Sequence, residues 1–464
     1  FFNNELIVYH SSISQNIRHE IWNKLNSTNS PKIILGVRSS IFLPHKNLSL
    51  IIVDEEHENS YKQFDPMPRY NARDCAIFLS KFLNINCLLG SATPSLETYN
   101  NSINNKFSLV ELKERYGKFL PPEIILIQPS KSENNFFSNE LIKYIKTALE
   151  SDSQIILFRN RRGYSTYLKC SACNHINICP NCDVSLTYHL NDNLEKCHYC
   201  GFSREMNINC DSCSLPAMKK YGVGTQTVES EFHRLFPKIK LIRFDYDTTR
   251  SKKNLKKIIN DFQDKKYQVL IGTQMIAKGL NFTNVDLVGI IESDFLLNYP
   301  DFRSHEKYYQ LIKQVSGRAG RSRSRGRVVL QTDYVQHYLH KRLIDNNYRD
   351  FYNFQLSQRK EFNYPPFSKL IKIRFKSKKI EIIDFSSKWF CDALKNIINC
   401  KILGPEFPLV SKINNFHIKD LIVKIEKEQN ILATKKRLNK LIKIFNNYPK
   451  FRAVKISVDV DPYN

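Results

Sequence analysis

The sequence predicts an α/β protein built from two parallel, doubly wound lobes, with a cysteine-rich insertion in the second lobe and a small α+β domain at the carboxyl end. Short apolar runs rich in β-branched residues, such as Leu50-Ile51-Ile52-Val53 and Val269-Leu270-Ile271, alternate with helical stretches, as buried parallel strands joined by helices do. Four C-x-x-C pairs crowd the interval between Tyr164 and Gly222. From about residue 348 the pattern turns to strict alternation, with Ile371, Ile373 and Phe375 set between Lys372, Arg374 and Lys376.

A length of 464 residues suits about three domains. Lysine and arginine number 70 against 45 acids, for a formal charge of +25 and a pI near 9.4. That excess calls for a polyanionic partner, nucleic acid or an acidic membrane surface, and says nothing about fold. No apolar run approaches the roughly 18 to 20 residues that span a bilayer, and no charged-then-apolar signal segment opens the chain, so the expected compartment is the cytoplasm. Residue 1 is Phe, and Leu6-Ile7-Val8-Tyr9-His10 already reads as an interior strand, so further sequence upstream is expected.

Residues 1–135 read as the first lobe, with strands at Leu6 to Tyr9, Ile33 to Val37, Leu50 to Val53 and Cys87 to Leu89, and helices at Ile17 to Leu25 and Asn71 to Leu83. The third strand ends abruptly in Asp54-Glu55-Glu56-His57. Parallel strands open at their carboxyl ends on a ligand crevice. Two adjacent carboxylates there suit a Mg²⁺ with its waters and the alignment or deprotonation of an attacking water. A strand ending at a solvated acidic turn is the plain alternative. Between Tyr61 and Arg73, aromatic and basic residues interleave in a Pro-containing loop, which suits stacking on bases and contact with phosphates; a merely solvated loop is again the alternative. The stretch Gly117 to Asn135, with Pro121-Pro122, Pro129 and a Ser/Asn-rich run, reads as a connector.

Residues 136–347 read as the second lobe, with strands at Ile155 to Phe158, Leu241 to Phe244, Val269 to Ile271, Leu287 to Ile291 and Val328 to Gln331. Three loops share the build of the acidic one, placing small residues, hydroxyls or guanidinium groups where a strand or helix ends. They are Gly90-Ser91-Ala92-Thr93-Pro94, Gly272-Thr273-Gln274-Met275-Ile276-Ala277-Lys278-Gly279 and Gln314-Val315-Ser316-Gly317-Arg318-Ala319-Gly320-Arg321. Arg318 and Arg321 share one face if helical, and either could reach a γ-phosphate as an arginine finger. A basic surface patch continuing through Arg323, Arg325 and Arg327 is the alternative.

In order and spacing these four stretches resemble motifs II, III, V and VI of superfamily 2 helicases. With the cysteine block inserted, the chain resembles the PriA (primosomal protein N′) family of replication-restart helicases over nearly its whole length. The likeness includes Asn160-Arg161-Arg162-Gly163-Tyr164, Asp301-Phe302-Arg303-Ser304 and the closing Asp459-Val460-Asp461-Pro462. The resemblance implies two RecA-like lobes and a site for ATP with Mg²⁺. Asp54 would bind the metal, Glu55 would act on the attacking water, and Ser91 and Thr93 would couple hydrolysis to lobe movement. His57 and Gly279 would line the nucleotide, Arg321 would serve as the finger, and Gln314 and Arg318 would be nearby contacts. It also implies a monomeric 3′-to-5′ DNA helicase acting on forked and single-stranded DNA, with primosome proteins and single-stranded-DNA-binding protein as partners. The loop 61–73 corresponds to an aromatic-rich coupling loop in that family.

Eight of the twelve cysteines form the pairs Cys170/Cys173, Cys179/Cys182, Cys197/Cys200 and Cys210/Cys213, within a module at 165–221. Each spacing lets two thiolates share one tetrahedral metal, and four pairs imply two structural zincs; disulfides, a redox motif and an iron–sulfur centre are the alternatives. Cys179/Cys182 and Cys197/Cys200 enclose a loop of zinc-ribbon length, leaving the outer pairs for the second ion, and the resemblance implies the same nesting; a crossed arrangement is the other possibility. The module has few large apolar residues, so metal must supply most of its folding energy, on the order of 10 kcal/mol per zinc. His175, His189 and His198 are then surplus, and Cys75, Cys87, Cys391 and Cys400 read as buried thiols.

Residues 348–464 read as a small α+β sandwich. Val454, Ile456, Val458 and Val460 alternate with Lys455, Ser457, Asp459 and Asp461, and a helix over Ala433 to Asn447 sets Leu438, Leu441, Ile442 and Phe445 against Lys436, Lys440 and Lys443. No G-x-x-x-x-G-K-[ST] occurs in the 464 residues; the resemblance places that phosphate-binding loop upstream of residue 1. Two functions follow as expectations. One is the motor portion of an ATP-dependent helicase; the other is a non-catalytic, zinc-dependent fork-DNA-binding scaffold derived from such an enzyme.

Overall fold

The computed structural model describes residues 5–27, 30, 32–112, 114, 120–129, 136–159, 167–173, 175–180, 186–189, 193–197, 202–221, 225–249, 251–277, 280, 282–297, 299, 301–320 and 325–463. They fall into two compact units, one of residues 1–109 with 459–464 and one of residues 110–458.

The first unit contains β1 (Leu6–Tyr9), α1 (Gln15–Ser27), β2 (Ile33–Gly36), β3 (Leu50–Val53), α2 (Ala72–Leu83), β4 (Asn86–Leu89) and α3 (Leu96–Ile103). Among the described residues the strands form two parallel pairs, β1 with β2 and β3 with β4, where a single sheet was expected. Ile52 and Leu88, on one face of the second pair, are 62% and 56% exposed. Local chemistry places α2: the Asn71 side chain accepts from Arg73 N, and Asn84 closes the helix in the left-handed conformation. Ser95 caps α3 in the same way by accepting from Thr98 N.

The second unit opens with β5 (Glu123–Ile127), inside the stretch expected to be a connector. The flanking Pro121, Pro122 and Pro129 hide a strand whose partner, Arg327–Gln331, is far away in sequence. The unit continues with α4 (Asn139–Glu150), β6 (Gln154–Arg159), the short strands β7 (Tyr167–Cys170), β8 (Thr187–His189), β9 (Leu194–Lys196), β10 (Ser203–Glu205) and β11 (Met218–Tyr221), then α5 (Thr225–Leu235), β12 (Leu241–Phe244), α6 (Lys252–Gln263), β13 (Val269–Gly272), α7 (Gln274–Ala277), β14 (Val285–Ile291), α8 (Ser304–Ser316) and β15 (Arg327–Gln331). A six-stranded, all-parallel sheet runs β12-β13-β6-β14-β15-β5. Every residue of β6 and β13 is buried, as central parallel strands covered on both faces must be. One cover is α4, whose Leu141, Ile145 and Ala148 lie in a single core with Ile155, Leu157, Val269, Ile271 and Val329.

Beyond this sheet come α9 (Tyr338–Ile344), α10 (Tyr348–Glu361), β16 (Ser368–Ser377), α11 (Ile380–Ile397), β17 (Lys401–Glu406), β18 (Lys412–Ile413), β19 (Phe416–Glu426), α12 (Ile431–Asn447) and β20 (Lys455–Val460). The sheet runs β17-β19-β16-β20 with β18 on β19, and α12 buries Leu438, Leu441 and Phe445 while Lys436, Lys440 and Lys443 stay exposed. The Asp301-to-Ser304 stretch joins the two sheets. Phe302 stacks on Tyr364 with centroids 4.3 Å apart, and Arg359, buried, donates to Glu306 Oε2 at 2.6 Å. One expected alternation fails at its end: in β20 the buried residue is Asp459, whose partner Lys62 belongs to the first unit, as Asp459 itself does.

A histidine cluster sits on α8 and α9. The rings of His305 and His340 lie 5.4 Å and 5.9 Å from that of His337, and the Tyr338 and Tyr308 hydroxyls approach His305 Nδ1 and His340 Nε2 at 2.7 Å each. Burial lowers all three, and with its two neighbours takes His337 from 6.5 to about 4. The unfolded chain takes up a proton near pH 6.5 while folded His337 stays neutral to about pH 4, so stability falls as pH drops below 6.5 and levels off under about pH 4. Thermal melting between pH 7 and 5 should therefore show a falling midpoint that His337→Asn flattens, because the Asn side chain can still accept from Leu339 N. An unchanged slope in that variant would refute the assignment.

Candidate nucleotide site and metal centre

The acidic turn follows β3 directly. Asp54 is exposed, Glu55 is half-buried with φ +47°, and Glu56 and His57 are buried. A left-handed glutamate is a strained choice for a turn that glycine would fill without cost, and such strain is found where a side chain must be aimed. Glu55 N donates to Asp54 Oδ1 at 3.0 Å, and the Tyr61 hydroxyl donates to Asp54 O at 2.6 Å. Burial, with Asp54 next, pushes the Tyr61 phenol above its ordinary range and keeps it a donor.

The Gly90-to-Pro94 loop is braced against this turn. Gly90 N donates to Val53 O at 2.9 Å and Glu56 N to Gly90 O at 3.0 Å. His57 Nδ1 and Ser91 Oγ lie 2.7 Å apart, Thr93 N donates to the same Ser91 Oγ at 2.9 Å, and Glu55 Oε2 is 3.6 Å from His57 Nδ1. Sequence reasoning assigned nothing to Glu56, yet it is the hub. Its carboxylate accepts from Ser95 N at 2.5 Å, Thr98 Oγ1 at 2.9 Å and Arg73 Nη1 at 3.0 Å, all in the interior. Burial opposes the charge on Arg73, but Tyr463, Asp74, Glu56 and Glu97 around it more than offset that cost, and the guanidinium stays charged.

In the second unit, Arg159 at the end of β6 is buried and donates to Glu292 Oε2 at 2.6 Å from Nη2. Helix α8 ends at Ser316, so Arg318 lies beyond it and the condition for a shared helical face with Arg321 is not met at Arg318. Past Ser316 the bonds tighten to Arg318 N on Val315 O and Ala319 N on Ser316 O, at 3.0 and 3.1 Å. Gly320 has φ +67°, and a Cβ on Gly326 would sit 2.3 Å from Gly320 N, so neither position takes a side chain freely. The Arg318 guanidinium donates to the carbonyls of Ala277 and Leu280, tying this loop to the one after β13. Gln314 is half-buried on α8. Gly279, Arg321 and the stretch Asn160 to Tyr164 lie outside the described residues.

In the cysteine-rich module, Cys170, Cys173, Cys210 and Cys213 converge with their sulfurs within 4.8 Å of one another. Turn geometry aims each pair: Cys170 N donates to His175 O and Cys210 N to Leu215 O, and strands β7 and β11 bring the pairs together. The Cys173 N–H aimed at Cys170 Sγ holds that thiol down, to about 7, whereas Cys213, although the Leu215 N–H lowers it, is pushed up to about 12 by burial and the other three thiols. Four converging thiols fit one tetrahedral zinc. Cys179 and Cys197 are buried together beside Leu186; Cys182 and Cys200 lie outside the described residues. Ile413 of β18 packs against that second cluster, and Lys412 Nζ donates to Pro180 O at 3.1 Å. Of the remaining cysteines, Cys391 is buried and Cys75, Cys87 and Cys400 are half-buried, each thiol raised by burial.

Domain profiles match in three places: the helicase conserved C-terminal domain at residues 220–323, the PriA DNA helicase Cys-rich region at 179–204 and the primosomal protein N C-terminal domain at 360–463. The replication restart protein PriA of Rickettsia typhi is 35% identical over 99% of the chain and 70% of its own length. The chain belongs to the PriA family. Two further PriA proteins are similar: that of Bacillus subtilis, 36% identical over the whole chain, and that of Haemophilus influenzae, 39% identical over 87% of it. The chain spans 58% and 56% of those two proteins. PriA membership fixes the fold as helicase lobes with a cysteine-rich zinc-type module and an α+β carboxyl-terminal domain. No described helix is long and apolar enough to cross a membrane.

Proposed function

We propose that the chain is the motor portion of an ATP-driven, 3′-to-5′ DNA helicase that recognises stalled or recombined replication forks and starts primosome assembly. The observation that carries this proposal is the bracing of Ser91 and Thr93 onto the acidic turn through His57, at 2.7 Å, and through the Glu56–Gly90 backbone bond. A turn that only met solvent would need no such brace. Mg²⁺, when bound, would neutralise phosphate charge, and Asp54 would hold it. Glu55 would orient the attacking water and take its proton. Movement at Glu55 would reach Ser91 through His57, which lies against both. Arg318 and Arg321, with Gln314 and Gly279, would supply the opposing contacts to nucleotide. The eight paired cysteines would hold two zincs in nested pairs. The protein would act as a cytoplasmic monomer on forked and single-stranded DNA, with primosome proteins and single-stranded-DNA-binding protein as partners.

Glu55→Gln keeps the volume of the side chain and removes only the base. In the full gene product, ATP hydrolysis should fall by roughly 10² to 10⁴, a general base's usual contribution, with fork binding and zinc content unchanged. A wild-type product that binds forks and zinc without hydrolysing ATP would instead establish the non-catalytic scaffold.

A further inference from the structure

The closing Asp459-to-Tyr463 segment has no part in the nucleotide site, yet it is firmly held. Residues 455–458 belong with the second unit, whereas Asp459 onward pack in the first. There the Asp459 side chain, 5% exposed, sets Oδ1 2.8 Å from Nζ of Lys62, itself 2% exposed. Lys62 Nζ also donates to Val460 O at 2.7 Å, and Arg69 Nη1 lies 4.0 Å from Asp459 Oδ2. Tyr463 is within electrostatic reach of Arg73. A lysine and an aspartate this far from water are strongly unfavourable apart, so tail and loop dock as one.

Both contacts fall on the stretch that joins the acidic turn to α2. Lys62 bridges to Asn71, Gln63 N donates to Tyr70 O at 2.8 Å and Arg38 Nη1 donates to Lys62 O at 2.8 Å, which closes residues 62–71 into a loop with Phe64 and Met67 exposed near its tip. One root of this loop is Tyr61, bonded to Asp54 O. The other leads to Arg73, bonded to Glu56. The tail therefore grips the loop at its two roots, and the roots touch the acidic turn at two points.

We infer that the carboxyl-terminal tail is a positioning element that couples nucleic-acid contact at the 62–71 loop to the acidic turn, with Asp459 as its positioning residue. Without the clamp, displacement of the loop tip is absorbed at Lys62 and does not reach Asp54 or Glu56. The inference rests on the helicase function proposed above.

The test uses the full gene product, with oligothymidylate as the probe. Asp459→Asn should lower DNA-stimulated ATP hydrolysis by roughly tenfold to a hundredfold, the usual cost of misplacement at a distance, while hydrolysis without DNA and the KM for ATP stay unchanged. Amide exchange should speed up in residues 61–73 and not in the cysteine-rich module, and Asp459→Glu should restore the coupling. Equal losses with and without DNA, or no loss, overturn the inference. If Asp459→Asn fails to fold, deletion of residues 462–464 carries the test through Arg73: the same selective loss supports the clamp, and none overturns it. A wild-type product inactive with DNA refutes the helicase proposal instead; the clamp is then judged by exchange in residues 61–73, which unaltered protection in Asp459→Asn would overturn.

Discussion

Serine in place of Cys170 or Cys213 is expected to unfold the outer half of the cysteine-rich module, around β7 and β11, and leave the six-stranded sheet standing. Among the described residues, the module's apolar core around the first site is Leu168, Tyr188 and Met218 packed on Cys170 and Cys210, with Met206, Cys213 and Ala217 partly buried against it. A core of that size cannot offset the ordering entropy of some fifty residues, so the metal must; a structural zinc contributes about 10 kcal/mol or more. Loss of one thiolate removes most of that. The sheet core, from Leu141 and Ile155 to Val329, shares no side chain with the module. Zinc content should drop by one equivalent, amide protection should vanish in β7, β11 and the Cys210-to-Cys213 turn while β8 and β9 beside the inner pairs keep theirs, and protection in β6 and β13 should persist. A variant that keeps both its zinc and its protection would show that these four sulfurs are not the ligands.

The second large effect is expected at Glu56. Glu56→Ala leaves the Arg73 guanidinium in the interior with Asp74, itself half in water, as its directly paired acid and Glu97 acting on it more weakly; the Ser95 N–H loses its partner as well. Breaking a buried pair from one side typically costs about 3–5 kcal/mol, and the Asp74 contact places this case toward the lower end. Against a net stability of about 5–15 kcal/mol for a typical domain, that is a large share. Denaturant unfolding followed through the first unit should show the loss. Glu56→Met with Arg73→Met, which removes both charges, should recover much of it. A single variant within about 0.5 kcal/mol of wild type would mean that the network is ornamental.

Much of the molecule could be read locally. Strands such as β6 and β13 announce themselves because burial on both faces demands unbroken apolar runs, and the carboxyl ends of parallel strands carry the chemistry because such sheets open there. The four C-x-x-C pairs were equally legible, since the spacing alone aims two sulfurs one way. Other features depend on where distant residues arrive. Glu56 looks like its acidic neighbours until Ser95, Thr98 and Arg73 are brought around it. The strand β5 was hidden by flanking prolines, because only its pairing with β15, about two hundred residues on, makes it a strand.

The sequence by itself determined the fold class, the acidic strand end, the paired cysteines and the family, all of which rest on spacing within a few residues. Only the tertiary structure decided which pairs of cysteines meet first, that Arg318 turns to the carbonyls of Ala277 and Leu280, and that Asp459 leaves its strand's solvent side to meet Lys62. The physical reason is common to all three. A charge or a thiol reads the same in sequence whether it faces water or a partner, and burial, set by contacts made across the chain, is what assigns the partner.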